Sequence, residues 1–486
     1  MEHGDPFLCE DGTEGDMDLG TYEKFLSEEM GKENFVTMGQ VYKAVIDRER
    51  RMGYNGEDVE AIPHITNEII DRVHNVGDLK KADVVIVELG GTAGEYQNSL
   101  YYEASRIMTL KYPGDILHIH VSYMPTPSHL GEAKTKPTQL SVRTLNSMGI
   151  QPDLIIARSE GVLDQRRRDR FALFCNMQPE DIFSNPDVDN VYRVPLILQK
   201  QGIVERIEKK LSIGPKKVDL SEWEKFITKA EAPTKKTIEV AIIGKYFGTG
   251  NYQLKDSYAA LFDAINHSAI AHGVKVTTRW IDAEKVEKSG VEIIGAPNGI
   301  IVPIGWGARG SEGMIAAAGY ARDKKIPYLG LCYGMQLAAI SFARDVLGLK
   351  DADTTENDPK TKHPVIHLIE NQKSLMEKRA YGGTMRLGGW EEQIKKGTLA
   401  HKVYGKDKVV IRHRHRYEFN NAYAEQFEKA GCIISGRSTS ENLVEIIELS
   451  SKLHPFYIGT QGHPEYSSRP LAPHPIFSAF IQACMV

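Results

Sequence analysis

Paired cysteines, long apolar runs, an excess of basic residues and internal repeats are all missing from this sequence, and each absence removes a class of protein. Five cysteines in 486 residues, Cys9, Cys175, Cys332, Cys432 and Cys484, are scattered without paired spacing. That pattern excludes a disulfide framework and a zinc-finger arrangement. No uninterrupted apolar stretch approaches the roughly 20 residues that span a bilayer. The first twenty residues are acidic rather than basic and then apolar, so no secretory signal pattern opens the sequence and a cytoplasmic address is expected. With 60 Lys and Arg against 65 Asp and Glu the net charge is −5, which gives no global reason to bind nucleic acid or an anionic membrane. What remains, 41% apolar and 26% charged residues, reads as a globular chain with room for two or three cores.

Against that background one run stands out. The apolar stretch Ile326 to Leu331 delivers Cys332 between Gly330 and Gly334, and the helical pattern Met335-Gln-Leu-Ala-Ala-Ile-Ser-Phe-Ala follows. A Gly-x-Cys-x-Gly elbow between a strand and a helix exposes a thiol at a helix N-terminus, where free amides favour a thiolate and can hold an oxyanion. A nucleophile needs a base, and Gln461-Gly-His463-Pro-Glu465 follows the strand-like Pro455 to Thr460. Cys332, His463 and Glu465 therefore read as nucleophile, base and orienter.

The pattern divides in two. Between Ile203 and Lys236 the chain is charged and broken by Gly-Pro and Ala-Pro, and a fresh apolar strand begins at Thr237. Before this linker, apolar runs at 82–88, 116–121 and 153–158 alternate with helical stretches at 99–110 and 138–148; after it the alternation resumes, with a further strand at 299–303. Continuous apolar strands separated by helices predict α/β domains built on parallel sheets. The expected partition is 1–212, a linker at 213–236, and 237–486.

In the first part, Asp11, Asp16 and Asp18 lie close together, and Glu88 closes an apolar run before Gly90-Gly91-Thr92. A carboxylate at a strand's C-terminal end beside a glycine turn suits magnesium in nucleotide-binding α/β folds. Lys134-Thr-Lys-Pro-Thr-Gln139 concentrates two cations before a helix, as a triphosphate requires. Taken singly, each of these is also an ordinary solvated loop charge.

Together these segments resemble the CTP synthase family. The resemblance rests on Glu10-Asp-Gly, Asp16-Met-Asp-Leu-Gly, Ile62-Pro-His-Ile-Thr-Asn, Val87-Glu-Leu-Gly-Gly-Thr, Lys134-Thr-Lys-Pro-Thr-Gln, Gly149-Ile-Gln-Pro-Asp, Ala172-Leu-Phe-Cys and Arg412-His-Arg-His-Arg-Tyr-Glu, and the Cys332 half is similar to class I glutamine amidotransferases. It implies a P-loop-like amidoligase (synthetase) domain fused to a glutaminase. Its implied activity is ATP-dependent amination of UTP to CTP, with ammonia from glutamine. The implied magnesium ligands are Asp18 and Glu88, with Asp18, Asp187 and Val188 at the ATP site. Glu95, Tyr96, Gln97, Lys134, Lys136, Gln139 and Arg170 are implied for UTP or CTP. Gly305, Tyr333, Gln336, Glu356 and Arg416 are implied to grip glutamine, and His3 to line an ammonia route. GTP as allosteric activator and a homotetramer complete the implication.

Several departures bear on activity. The family's phosphate loop ending in Gly-Lys-Gly has no counterpart in the sequence, and neither have the strand before it nor the strand carrying a further active-site lysine. The synthetase domain is therefore expected to be N-terminally incomplete and phosphoryl transfer impaired. Glu95-Tyr96-Gln97 stands where the family has Asp-Ile-Glu, and Arg170 where it has lysine. Ile304 replaces the first glycine of Pro-Gly-Gly-Phe-Gly, and a strained oxyanion loop is expected there. Gly462 replaces phenylalanine, which is expected to loosen packing beside His463. Two other readings stay open: a glutaminase or assembly partner whose synthetase half is inactive, and a cysteine hydrolase of another substrate, against which the Glu356 and Arg416 segments argue.

Overall fold

Asp16 turns extended backbone into helix: its carboxylate accepts the Asp18 N–H, and Met17–Leu26 forms α1. Ahead of it Phe7–Leu8 and Glu14–Gly15 pair antiparallel. Gly20 on α1 lies against the Phe7 ring, where a Cβ would come within 2.6 Å of Cδ2. The structure, a computed structural model, describes residues 6–129, 131–234, 236–249, 252–253, 258–372 and 383–486. His3 lies outside the described residues.

Two compact units emerge, one formed by residues 1–35 with 228–486, the other by 36–227. This differs from the partition at 212 and 237 read from the sequence. Residues 6–35 pack with the later half because Phe7, Leu8, Cys9 and Leu19 form an apolar cluster with Ala260 and Tyr466, and because Glu23 pairs with Arg412 and Arg469.

In the second unit β1 (Ile119–Tyr123), α2 (Lys136–Ser147), β2 (Leu154–Ser159), α3 (Gln165–Cys175) and β3 (Ile182–Pro186) alternate, and the three strands pair in parallel in that order. Their core is Val142, Ile155, Ala157, Phe171 and Ile182. The strand expected at 82–88 does not form, and Ile86 is 87% exposed. An apolar run of that kind becomes a strand only when neighbouring strands satisfy its backbone and helices cover its faces. Among the described residues it pairs with none.

The other unit is built on nine strands. They are β4 (Thr237–Gly244), β5 (Lys275–Asp282), β6 (Gly299–Val302), β7 (Tyr328–Leu331), β8 (Arg386–Ile394), β9 (Lys408–His415), β10 (Cys432–Ser438), β11 (Val444–Leu449) and β12 (Tyr457–Thr460), in the order β9-β8-β10-β11-β12-β7-β6-β4-β5. The segment β12-β7-β6-β4-β5 is parallel, and β8 to β11 extend it with antiparallel pairing. The parallel part is where the sequence is continuously apolar, since Gly299-Ile-Ile-Val and Tyr328-Leu-Gly-Leu are buried along their whole length. Both units are α/β with parallel sheets, as the alternation predicts. Among the described residues no helix is long and apolar enough to cross a membrane.

Candidate active site

β7 ends at Leu331 and α4 (Tyr333–Asp345) begins two residues later, leaving Cys332 between them with φ 52° and ψ −101°. A non-glycine residue held there costs on the order of 1–3 kcal/mol, so its surroundings must enforce the geometry. They do so from three sides. The Cys332 N–H donates to Thr460 O at 2.8 Å, fixing the elbow to β12. A Cβ on Gly330 would come within 2.8 Å of the Gly334 carbonyl group, and one on Gly334 would overlap the Val302 carbonyl. Both glycines are required by this close approach, and the Tyr328 O–H, donating to Gly334 O at 2.9 Å, closes the turn.

The base comes from the segment after β12. His463 is fully buried, and its Nδ1 lies 2.8 Å from Glu465 Oε1. Burial alone would lower the imidazole's pKa, but the Glu465 charge and then the adjoining Cys332 sulfur raise it to about 10. A protonated His463 is a counter-charge for a thiolate and a ready proton donor. Gln461 Nε2 donates toward Cys332 Sγ at 3.5 Å, and its Oε1 accepts from Gln336 Nε2 at 3.1 Å, which also donates to Tyr417 O at 2.8 Å. Gln336 thus acts here through Gln461. That link is readable in Gln461-Gly-His-Pro-Glu only once the thiol is placed.

The segment after β6 forms the opposite wall. Gly305 faces the Tyr333 ring and the Lys245 stem, where a Cβ would meet carbon atoms at 3.1 and 3.2 Å. Gly307 N–H donates to Glu356 Oε1 at 2.8 Å, and the Tyr333 O–H donates to Gly307 O at 2.9 Å. Lys245, not singled out from sequence, donates to Trp306 O at 3.1 Å and lies 4.3 Å from the Tyr333 ring centre. Burial lowers the Lys245 pKa to about 8, with Glu356 opposing that shift. Burial conversely raises that of Glu356, against the Gly307 amide and Lys245. Arg416, just past β9, donates to Thr384 Oγ1 at 2.9 Å and also to Gln372 Oε1. The strand before it brings Arg414 O to 3.8 Å from Cys332 Sγ.

Both departures expected to disturb this site are accommodated. Ile304 is buried and its φ is not positive, so the anticipated backbone strain is absent; the residue packs in the apolar core with Tyr258 and Leu331. Gly462 leaves no gap, because a Cβ there would overlap Ile411 Cγ2 and lie 3.1 Å from Arg412 O. Ile411 fills the space that a side chain at 462 would need.

Beneath His463 lies a buried polar layer. His413 Nδ1, His415 Nε2 and a Glu445 oxygen converge in the manner of metal ligands. The centre is filled by Arg386, whose NH1 lies 3.1 Å, 3.3 Å and 2.8 Å from His413 Nδ1, His415 Nε2 and Glu445 Oε1. A guanidinium serves as the internal cation there. Burial and then Arg386 push both imidazoles well below their ordinary range.

The nucleotide candidates fall as follows. Asp18 sits in the first turn of α1, in the unit of residues 1–35 and 228–486; burial and then Asp16 raise its carboxyl pKa, a tension a hard divalent cation would relieve. Glu88 belongs to the other unit, as do the remaining candidates. Glu95 accepts from Thr92 N at 2.8 Å and from Gln97 Nε2 at 2.6 Å, while Tyr96 is 93% exposed. Lys134 lies in the connection from β1 to α2, Lys136 is the first residue of α2, and Gln139 donates back to Thr135 Oγ1 at 3.1 Å. Arg170 lies on α3, whose Arg167 donates to Ala133 O at 3.0 Å and so braces the lysine loop. Asp187 and Val188 follow β3, with Asp187 N–H donating to Ser159 O at 2.9 Å. The lysine loop and Asp187 thus lie beyond the C-terminal ends of parallel strands, where open α/β sheets bind ligands.

Comparison with known proteins matches both halves of the chain. Residues 1–213 match the family described as CTP synthase N-terminus, and 253–483 match glutamine amidotransferase class-I. The chain is 47% identical over 486 residues to a CTP synthase of Caldanaerobacter subterraneus subsp. tengcongensis, covering 100% of this chain and 88% of that protein. It is 45% identical over 484 residues to one of Pyrococcus furiosus, covering 99% and 88%. For one of Thermus thermophilus the figures are 43% over 491 residues, with 100% and 87% covered. Among solved structures, the Trypanosoma brucei CTPS glutaminase domain with bound acivicin is 33% identical, covering 51% of this chain and 94% of that one, with a TM-score of 0.46. With both halves matched and such identity sustained along the whole sequence, the chain belongs to the CTP synthase family, ligases that carry their own glutamine amidotransferase domain.

Proposed function

We propose that Cys332, His463 and Glu465 hydrolyse glutamine and that the ammonia serves ATP-dependent amination of UTP to CTP. The observation carrying this reading is the elbow: a thiol at positive φ on a helix N-terminus, beside a buried imidazole paired with a carboxylate. The Cys332 thiolate attacks the substrate's γ-carboxamide carbon, and backbone amides at the start of α4 and in the Ile304–Gly305 segment stabilise the oxyanion. His463 gives its proton to the departing nitrogen, ammonia leaves, and a γ-glutamyl thioester remains. Water, deprotonated by His463, then attacks the thioester, releasing glutamate and restoring the thiol. Glu356 suits the substrate's α-ammonium and Arg416 its α-carboxylate, with Gly305, Tyr333 and Gln336 shaping the pocket.

For the second reaction, Lys134, Lys136 and Arg170 supply charge for the UTP or CTP phosphates. Glu95, Tyr96, Gln97 and Gln139 flank them, and Asp187 and Val188 adjoin the adenine of ATP. Magnesium would neutralise phosphate charge when bound, and Asp18 and Glu88 are the candidate carboxylates for it, each within its own unit. GTP activation, a homotetramer and a cytoplasmic address belong to the same proposal. Parallel assays of glutamate release and of CTP formation from UTP, ATP and ammonia test the two halves separately. Cys332→Ala is expected to lower glutamine hydrolysis by about 10³-fold or more. Retention of the parental rate would remove Cys332 from the reaction.

A further inference from the structure

Glu23 is wholly buried on α1, far in sequence from the glutaminase residues, yet both its oxygens point at arginines flanking His463. Arg412 NH1 lies 3.0 Å from Glu23 Oε2, and its NH2 donates to Glu23 Oε1 at 3.1 Å. Arg469 NH2 bonds Glu23 Oε2 as well. Glu23 Oε1 also accepts the Met30 N–H at 2.9 Å, so the carboxylate is fixed in orientation. Glu29 touches both arginines too, but its side chain is 54% exposed.

These guanidiniums carry His463. The His463 N–H donates to Arg412 O at 2.7 Å, so Arg412 supplies the backbone rail of the base. The His463 ring stacks on Tyr466 with centroids 5.4 Å apart, and Tyr466 O accepts from Arg469 NH1 at 2.8 Å and from Arg412 NH1 at 3.4 Å. Phe7 lies edge-on to Tyr466 at 5.3 Å and beneath the Arg412 guanidinium at 5.4 Å. His463 is thus suspended between two chain segments whose arginines meet at one buried carboxylate.

We propose that Glu23 is a positioning residue for glutamine hydrolysis: by holding Arg412 and Arg469 together it fixes the rail and the ring on which His463 rests. This rests on the glutaminase reading above. Charge-assisted bonds to a buried carboxylate define distance and direction tightly, and a displacement of about 1 Å in a catalytic group costs on the order of 10²-fold in rate. The consequence is that the conformation of residues 7–30 governs the base of a reaction whose nucleophile is hundreds of residues away.

The experiment measures kcat and KM for glutamine in the parent and in Glu23→Asp, Glu23→Gln and Lys24→Met. Lys24 is the control because it ties the same helix to Asp263. Glu23→Asp keeps the charge but is one methylene too short to reach both arginines. Its kcat is expected to fall about tenfold or more with KM at the parental value, and Glu23→Gln to fall at least as far. Lys24→Met is expected to lower thermal stability while leaving kcat at the parental level. Parental kcat in folded Glu23→Asp overturns the proposal. So does an equal loss in Lys24→Met, which would assign the effect to helix docking in general. Absence of glutamine hydrolysis in the parent would instead overturn the reading beneath it, so the two failures are told apart.

Discussion

Adding a single methyl group beside the catalytic base tests whether Ile411 and Gly462 are a matched pair. Gly462 has no positive φ, so Gly462→Ala carries no backbone penalty and its whole effect is steric. The new Cβ overlaps Ile411 Cγ2 and presses on Arg412 O at 3.1 Å and His413 Nε2 at 3.2 Å. Overpacking of this kind costs about 1–3 kcal/mol. Ile411 is itself buried, so Ile411→Ala costs about 2–5 kcal/mol through lost contacts and a cavity. If the two side chains compete for one space, the double variant restores part of the packing. Its loss should then be smaller than the sum of the single losses by about 1–2 kcal/mol, within the usual range for residues in contact. Urea denaturation of the four proteins gives the cycle directly, with unchanged m-values confirming that only stability has moved. Glutamine hydrolysis supplies a second reading, because Arg412 O accepts the His463 N–H and any push on that carbonyl displaces the base. Strict additivity, with Gly462→Ala as active as the parent, would refute the reasoning and mean that a side chain at 462 finds room elsewhere.

Lys136→Ala is expected to weaken UTP and CTP binding about tenfold or more, the effect of losing one charge-assisted contact, while glutamate release is unchanged; calorimetry with each nucleotide checks it. Lys245, whose pKa burial lowers to about 8, loses its charge as pH rises through that value, and with it the attraction to Tyr333 and Glu356. Because its folded pKa lies below the unfolded one, folding stability gains from this group as pH rises above about 8, whereas kcat/KM for glutamine is expected to fall there and Lys245→Met to remove that alkaline limb. Ile304→Gly is expected to leave the ratio of glutamine-dependent to ammonia-dependent rates unchanged, since Ile304 already has an ordinary φ. It should cost about 3 kcal/mol or more of stability through the emptied core and the freer chain, measured by thermal unfolding.

What could be read from the sequence follows from how local each signal is. The elbow was legible because a strand, two glycines and a helix fall within a dozen residues, and its geometry depends on little beyond that stretch. Cys332 could be matched with His463 and Glu465 because Gln461-Gly-His-Pro-Glu follows directly on a strand-like run, as Cys332 follows its own. Lys245 and Arg386 could not, since a lone lysine or arginine has no periodicity that separates a buried cation from a solvated one. Only the carbonyls of Trp306 and Gly307, or the imidazoles of His413 and His415, make that distinction. The two substitutions near the base are illegible in the sequence for a related reason. Glycine at 462 looks like lost packing when read alone, and isoleucine at 304 looks like strain, but the sign of each depends on Ile411 and on the φ the chain adopts. The run at 82–88 failed differently, because strand identity is conferred by neighbours and its apolar residues record only the preference for having them. Glu23 joins both lessons. Its burial, its two arginines and their hold on His463 connect residues at opposite ends of the chain, so the physical unit that performs the chemistry is defined by packing and not by the order in which its parts are encoded.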